Sequence, residues 1–154
     1  MRIIGIIQQR MGSTRLPGKA LLPMGGMTMT EQIYCRASRA ESLDRVALAI
    51  PACDEQAMLG LGILERDIFC YDGDESDLIG RYLAAAKKYK ADLIVRLCGD
   101  NPCIEPWVID YTVAEYLFFC KPFVSTMGDY QHSQWPDGIG CEVFSVDRLK
   151  WLDQ

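Results

Sequence analysis

This 154-residue sequence has no long hydrophobic run, and apolar stretches such as residues 116–120 fall far short of the roughly 20 residues that a membrane-spanning helix needs. Its amino terminus has no small-residue cleavage site, so we expect a cytoplasmic protein. Histidine occurs once, and the seven cysteines include no Cys-x-x-Cys pair, which argues against a structural zinc site. The odd number of widely spaced cysteines predicts reduced thiols rather than a disulfide framework.

Acidic residues are missing from the first thirty positions, which carry Arg2, Arg10, Arg15 and Lys19. The rest of the chain holds 12 basic and 21 acidic side chains, and the net charge of the whole is −5. This concentration of positive charge predicts an anionic ligand near the amino terminus. Because nucleic-acid-binding proteins usually present a broad basic face, we expect a small phosphate-bearing ligand and no nucleic acid.

Two common nucleotide-binding signatures are also missing. The segment around Gly12 and Gly18 departs from the P-loop pattern G-x-x-x-x-G-K-[ST], because five residues separate the glycines and Ala20 stands where a hydroxyl is required. The sequence contains no G-x-G-x-x-G, which argues against a dinucleotide-dependent dehydrogenase. The anionic ligand must therefore be bound by a loop of another kind.

The sequence does contain a regular alternation of strand-like apolar runs and helix-like segments. Strands are predicted at residues 3–8, 45–50, 68–71, 92–97, 123–126 and 142–146. Helices are predicted from Thr30 to about Arg39, from Asp54 through Leu64, after Ser76, from Pro106 to Phe119 and from about Asp147. This alternation predicts an α/β fold, a three-layer α/β/α sandwich with a mostly parallel sheet. Its ligands should lie beyond the carboxyl ends of the strands.

The segment QQRMGSTRLPGK at residues 8–19, here called the basic loop, follows the first predicted strand directly. Gly12 and Gly18 permit turns that aim backbone N–H groups at oxygens, and Ser13 adds a hydroxyl donor. Arginine offers paired hydrogen bonds and lysine a point charge, so the three cations of the loop can neutralise a triphosphate. The basic loop predicts a polyphosphate site, and the alternative is an ordinary solvated loop.

Asp100 follows the fourth predicted strand, at the same edge of the sheet as the basic loop. Nucleotidyl transfer needs a divalent cation, and Mg²⁺ typically binds one or two carboxylates together with phosphate oxygens and waters. Asp100 is therefore the candidate magnesium ligand. The alternative is that Asp100, which precedes Asn101 and Pro102, only organises a turn.

Four further acids, Asp72, Asp74, Glu75 and Asp77, are here called the acidic segment. They could form a second metal site. They also precede a predicted helix, where negative charge complements the helix dipole and Asp74 or Ser76 can cap. The sequence favours this structural role.

The turn-rich region late in the sequence contains two more candidates. Asp137 and Glu142 flank a glycine-rich turn before the last predicted strand, so both are candidate substrate-binding residues. The alternative is that they are solvated loop acids. His132 lies in the same region, but a lone histidine without a positioned partner is usually a surface residue.

Four blocks of the sequence resemble the cytidylyltransferases, in particular the spore-coat-polysaccharide type of acylneuraminate cytidylyltransferase-like protein, which is related to CMP-sialic acid and CMP-KDO synthetases. The blocks are, in order, IIQQRMGSTRLPGK, YDGDESDLIGRY, LIVRLCGDNPCIEP and WPDGIGCEVFS. The resemblance extends over residues 3 to about 149. It implies the Rossmann-like nucleotide-diphospho-sugar transferase fold and a Mg²⁺-dependent transfer of CMP from CTP to an acidic sugar, with release of pyrophosphate, for surface polysaccharide biosynthesis.

The resemblance also implies roles for individual residues. The nucleotide-binding residues would be Gln8, Arg10, Gly12, Ser13, Arg15 and Lys19. Arg10, Lys19 and Asp100 would be catalytic, with Asp100 the metal ligand and with Lys19 stabilising charge on the departing pyrophosphate. The implied partners are CTP, an acidic sugar and a second copy of the chain in a homodimer.

Relatives of this kind usually continue beyond the length of this chain. We therefore expect residues 1–154 to form a single nucleotidyltransferase-type domain that lacks the C-terminal part of the family. Two other functions stay open. One is a nucleotidyltransferase that uses a different nucleoside triphosphate and a sugar phosphate, and the other is a nucleotide-binding or interaction domain without transfer activity.

Overall fold

The computed structural model describes residues 1–126, 135–136 and 138–153. Its strands are β1 (Ile3–Gln8), β2 (Pro23–Met24), β3 (Met27–Thr28), β4 (Arg45–Pro51), β5 (Ile68–Tyr71), β6 (Leu93–Cys98), β7 (Phe123–Ser125) and β8 (Glu142–Ser145). Its α-helices are α1 (Met29–Ala37), α2 (Glu55–Met58), α3 (Leu78–Tyr89), α4 (Pro106–Phe119) and α5 (Val146–Leu152). Over these residues, no helix has both the length and the apolar character needed to cross a membrane.

Six of the strands form one sheet in the order β5-β4-β1-β6-β8-β7. The first four in this order are parallel, whereas β8 is antiparallel to β6 and β7 is antiparallel to β8. The sheet is therefore mostly parallel, as the alternating pattern predicts. The short β2–β3 hairpin is separate from it and turns at Gly25 and Gly26, which both have positive φ angles.

Helices cover both faces of the sheet, because the apolar strands present side chains in both directions. From β1, Ile4 and Ile6 belong to the same buried cluster as Tyr82 of α3. Ile7 of the same strand belongs to the opposite cluster, which includes Ile33 of α1 and residues of α4. The predicted three-layer α/β/α sandwich is confirmed.

The helix predicted from Asp54 through Leu64 is wrong, because α2 has only one turn. Gly60 has a φ of 94°, a conformation that ends a helix and that residues other than glycine rarely adopt. The side chain of Asp54 does not cap α2. Its Oδ2 accepts a hydrogen bond of 2.8 Å from the backbone N–H of Met11 in the basic loop.

Two other helices begin at different residues from those predicted. Helix α1 is capped by Thr28 instead of Thr30, since Thr28 and Glu31 bond reciprocally in a capping box. Helix α3 is capped by Asp77 instead of Asp74 or Ser76, and the Asp77 carboxylate accepts from the Gly80 N–H. Helix α4 begins at Pro106 as predicted.

Candidate functional site

A polar pocket with a volume of about 280 Å³ lies at the carboxyl ends of β1 and β6. Ligands of open α/β sheets bind at this edge. Six of the predicted site residues line it, namely Gln8, Arg10, Ser13, Arg15, Lys19 and Asp100. The other lining residues are Gln9, Thr14, Arg96, Cys98 and Gly99.

Two further predicted site residues, Gly12 and Glu142, do not line the pocket. Gly12 belongs to the basic loop but is not part of the pocket wall. Glu142 lies on β8 and pairs with Arg96, which does line the pocket, so Glu142 is one residue removed from it. Asp137, like His132, lies outside the described residues.

Backbone hydrogen bonds within the basic loop contribute to its shape. The carbonyl of Met11 accepts hydrogen bonds from the N–H groups of Ser13, at 2.8 Å, and Gly18, at 3.1 Å. Gly18 has a φ of 70°, which favours glycine, and from there the chain enters a 3-10 turn at Lys19–Leu21. This turn places Lys19 opposite Asp100, while Arg10 and Arg15 remain exposed.

Two cations of the basic loop are paired with carboxylates from other elements. Lys19 Nζ lies 3.0 Å from Asp100 Oδ2, and Arg10 Nη1 lies 3.4 Å from Glu75 Oε1. Arg15 has no ion pair within the described part of the chain. All these side chains keep some solvent exposure, so their pairs are weak enough for an anionic ligand to replace.

Arg96 is a pocket residue that sequence reasoning missed. It faces Glu142 across the β6–β8 register and forms an ion pair with that carboxylate. Burial acts to lower the pKa of Arg96, but Tyr82, Cys98 and Glu142 around it raise the pKa above its ordinary value. The guanidinium therefore stays charged. The signal that could have identified it is a single arginine in the otherwise apolar strand LIVRLC.

The pocket lining carries more positive than negative charge in a chain whose net charge is negative, although two of its cations are also paired with carboxylates outside the lining. Its lining includes the cations Arg10, Arg15, Lys19 and Arg96 and the carboxylate of Asp100. Such an excess of positive charge concentrates anions in a cleft. The arrangement fits a polyphosphate better than it fits an ordinary solvated loop.

The acidic segment bonds mostly within itself and to its neighbours. Asp74 Oδ1 accepts from the N–H of Ser76 at 2.7 Å and from its hydroxyl at 2.6 Å. Asp77 accepts from the Tyr71 hydroxyl at 2.6 Å and from the Gly80 N–H at 2.8 Å. These hydrogen bonds hold the pKa values of Asp74 and Asp77 below their ordinary range. The structural role favoured by the sequence therefore fits this segment.

The donor set at the pocket limits how a metal ion could bind. Among the residues described, no three His, Cys, Asp or Glu side chains are grouped so that they could hold an ion. Asp100 is a half-exposed carboxylate that already faces a cation, the Lys19 ammonium. It fits Mg²⁺ held by one carboxylate together with phosphate oxygens and waters, and it does not fit a cage made of protein ligands alone.

The fold and the pocket together define a protein of the nucleotide-diphospho-sugar transferase fold. The chain belongs to the cytidylyltransferase family, whose model matches residues 4–151. The resemblance noted from the four sequence blocks is confirmed by this match.

Curated relatives are about one-third identical to the chain over the residues that align. An uncharacterized protein of Methanocaldococcus jannaschii is 33% identical over 150 residues, which are 97% of this chain and 59% of the relative. The spore coat polysaccharide biosynthesis protein SpsF of Bacillus subtilis is 32% identical over 72% of this chain and 48% of its own length. The 3-deoxy-manno-octulosonate cytidylyltransferase of Maricaulis maris is 35% identical over 71% of this chain and 42% of its own length.

Solved structures have the same fold. A cytidylyltransferase from Leptospira borgpetersenii has a TM-score of 0.84 and 32% identity, covering 99% of this chain and 64% of its own. A CMP:2-keto-3-deoxy-manno-octonic acid synthetase in complex with CTP has a TM-score of 0.72 and 21% identity, covering 100% of this chain and 78% of its own. The curated relatives are longer than this chain, which spans about half of their length.

Proposed function

We propose that this chain binds the triphosphate of CTP in the polar pocket and transfers CMP to a hydroxyl of an acidic sugar in a Mg²⁺-dependent reaction. The observation that carries the proposal is the pair of Lys19 and Asp100. Their charged atoms lie 3.0 Å apart at the edge where β1 and β6 end. A cation that can bind phosphate is therefore adjacent to a carboxylate that can bind a metal ion, an arrangement suited to nucleotidyl transfer.

The side chains of the basic loop have distinct tasks in this reaction. Arg10 and Arg15 bind phosphate oxygens through their planar guanidinium groups, and Ser13 donates its hydroxyl. The sugar hydroxyl attacks the α-phosphorus and gives its proton to water, the bond from that phosphorus to the bridging oxygen breaks, and pyrophosphate leaves. Lys19 stabilises the negative charge that develops on pyrophosphate.

Asp100 is the residue that would hold Mg²⁺ in this pocket. When bound, the ion supplies charge neutralisation for the phosphate oxygens. In the free protein, the Lys19 ammonium pairs with the Asp100 carboxylate. Binding of the nucleotide with its metal ion would give each of these two residues a new partner. Asp100 would hold the ion, and Lys19 would then be free to bind the phosphates.

The choice of acidic sugar rests on the relatives. One of them is named as acting on 3-deoxy-manno-octulosonate and another as a spore coat polysaccharide biosynthesis protein. We infer a sugar acid that is destined for a surface polysaccharide and activated in the cytoplasm. A homodimer remains a prediction that sedimentation equilibrium would test.

Pyrophosphate release tests the proposal directly. The protein is incubated with CTP, Mg²⁺ and either 3-deoxy-manno-octulosonate or an acylneuraminate. We expect pyrophosphate to accumulate with at least one sugar, and the Asp100→Asn variant to lose this Mg²⁺-dependent turnover. Asp72→Asn is the matched control, since Asp72 is an exposed carboxylate of the acidic segment outside the pocket.

Three results would contradict the proposal in different ways. Turnover that Asp100→Asn leaves unchanged would remove the metal role of Asp100. A larger thermal shift with UTP or GTP than with CTP would favour the transferase that uses another nucleotide. Nucleotide binding without pyrophosphate release across a broad panel of sugars would favour a domain without transfer activity.

A further inference from the structure

Gln9 forms part of the pocket wall, but its side chain is buried there, with 3% of the residue's surface exposed. Its Nε2 donates a hydrogen bond of 2.6 Å to the carbonyl of Gly99 and one of 3.2 Å to the Thr30 hydroxyl. Its Oε1 accepts from the backbone N–H of Arg10 at 3.2 Å. A buried amide is costly to leave unpaired, so these bonds fix the side chain in one orientation.

These hydrogen bonds reach the backbone beside each of the three proposed catalytic residues. Gly99 directly precedes Asp100, and the bonded N–H belongs to Arg10 itself. Thr30 in turn donates a hydrogen bond of 2.8 Å to the carbonyl of Ala20, which directly follows Lys19. One buried pair, Gln9 and Thr30, thus connects the two ends of the basic loop with the loop that carries Asp100.

The two loops also touch directly at Gly99. A Cβ atom at this position would lie 2.3 Å from the Gln8 carbonyl oxygen and 2.7 Å from Gln9 Oε1. Contacts this short are not tolerated, so only glycine allows the backbone to approach so closely. The separation of the two loops is therefore set by backbone packing and by the Gln9 amide together.

We propose that Gln9 is a positioning residue that holds Asp100 at a fixed distance from the phosphate-binding cations, so that a metal ion and a phosphate chain are bound jointly. Gln9 itself touches neither ligand in this role. The inference rests on the proposed function only in requiring a metal–polyphosphate ligand. Outer residues that orient metal ligands typically change metal affinity about 10- to 100-fold when they are replaced.

Tripolyphosphate tests this role, because it has neither a base nor a sugar. Its dissociation constant is measured by calorimetry with and without Mg²⁺ for the wild-type protein and for Gln9→Met, which keeps the length of the side chain but removes its hydrogen bonds. We expect Mg²⁺ to tighten binding in the wild type. The measured quantity is the ratio of the dissociation constant without Mg²⁺ to the dissociation constant with Mg²⁺. In Gln9→Met, this ratio should fall about tenfold, towards the ratio of Asp100→Asn.

A merely structural role for Gln9 would give a different result. Val113→Ala is the control, since it truncates a core residue of α4 far from both loops in sequence. It should lower stability and leave the ratio unchanged. An unchanged ratio in folded Gln9→Met would overturn the proposal, as would a wild-type protein in which Mg²⁺ has no effect on tripolyphosphate binding.

A second pair of variants decides the matter if Gln9→Met does not fold. Thr30→Val removes the hydroxyl that connects Gln9 to Ala20, whereas Thr30→Ser retains it. We expect the ratio to fall in Thr30→Val and to persist in Thr30→Ser, and equal ratios would overturn the proposal. If the ratio falls in the variants as expected but the wild-type protein does not turn over CTP, the proposed function is rejected and the positioning role of Gln9 is retained.

Discussion

The basic loop and the acidic segment both follow parallel strands at one edge of the sheet, but they use their charges in opposite ways. In the acidic segment, Asp74 and Asp77 accept hydrogen bonds from nearby residues in the chain. In the basic loop, Arg10 and Lys19 face carboxylates that other elements supply. Hydrogen-bond partners therefore distinguish a structural cluster from a candidate binding site, which charge and spacing alone do not.

The largest expected effect comes from removing a cation of the basic loop. We expect Lys19→Ala to raise the dissociation constant for CTP about 10- to 100-fold, because hydrogen bonds to charged groups contribute about 1.5 to 3 kcal/mol. Stability should change by less than about 1 kcal/mol, since exposed ion pairs contribute little. Calorimetry and chemical denaturation measure the two quantities.

Lys87→Ala is the matched control for this prediction. Lys87 is an exposed lysine in the last turn of α3, and it does not line the pocket. Its replacement should leave CTP affinity unchanged. Equal affinities for the two variants would mean that the basic loop does not bind phosphate, and the contrast between the two regions would disappear.

An intermediate effect is expected in the acidic segment, on stability alone. Asp77→Ala removes the cap of α3 and should lower the free energy of unfolding by about 1 kcal/mol, with nucleotide affinity unchanged. Asp77→Asn is the control, because asparagine caps helices about as well as aspartate. If the Asp77→Ala protein is fully folded and still binds nucleotide more weakly, the acidic segment belongs to the nucleotide-binding site.

The pH dependence of the same variant gives a further check. The hydrogen bonds from Tyr71 and Gly80 lower the pKa of Asp77 in the folded state. The stability contribution of its charge is therefore fully present above the unfolded pKa and is lost as pH falls through the folded pKa. The stability advantage of wild type over Asp77→Ala should shrink in acid, and a constant difference down to the lowest pH would contradict this assignment.

The smallest expected effect is at the contact between the two regions. Glu75→Gln removes the carboxylate that pairs with Arg10, and the pair contributes at most about 1 kcal/mol at this exposure. We expect CTP to bind up to about fivefold more tightly at low salt, with the gain declining as salt screens the charge. Asp72→Asn should give a smaller gain. Weaker binding by Glu75→Gln would instead mean that Glu75 holds Arg10 in place for the ligand.

The strands were predictable because the apolar runs of this chain have strand length and alternate with helical segments. The six strands of the main sheet agree with the predicted ones to within one residue, whereas the short β2–β3 hairpin was not predicted. The basic loop and Asp100 were predictable as neighbours, because the ends of parallel strands share one edge of the sheet. The place of Arg96 in the pocket was not predictable, because it depends on the pairing of β6 with β8.

The sequence by itself determined the sheet, its two helical layers and the edge at which the charged loops meet, since hydrophobic periodicity is a local property. Only the tertiary structure decided which polar residues cap helices and which connect loops. Thr30 and Asp54 look like helix caps, but Thr30 bonds Gln9 and Ala20, and Asp54 bonds Met11. The same oxygen can serve either purpose, and the choice depends on which distant backbone group the fold brings within hydrogen-bonding distance.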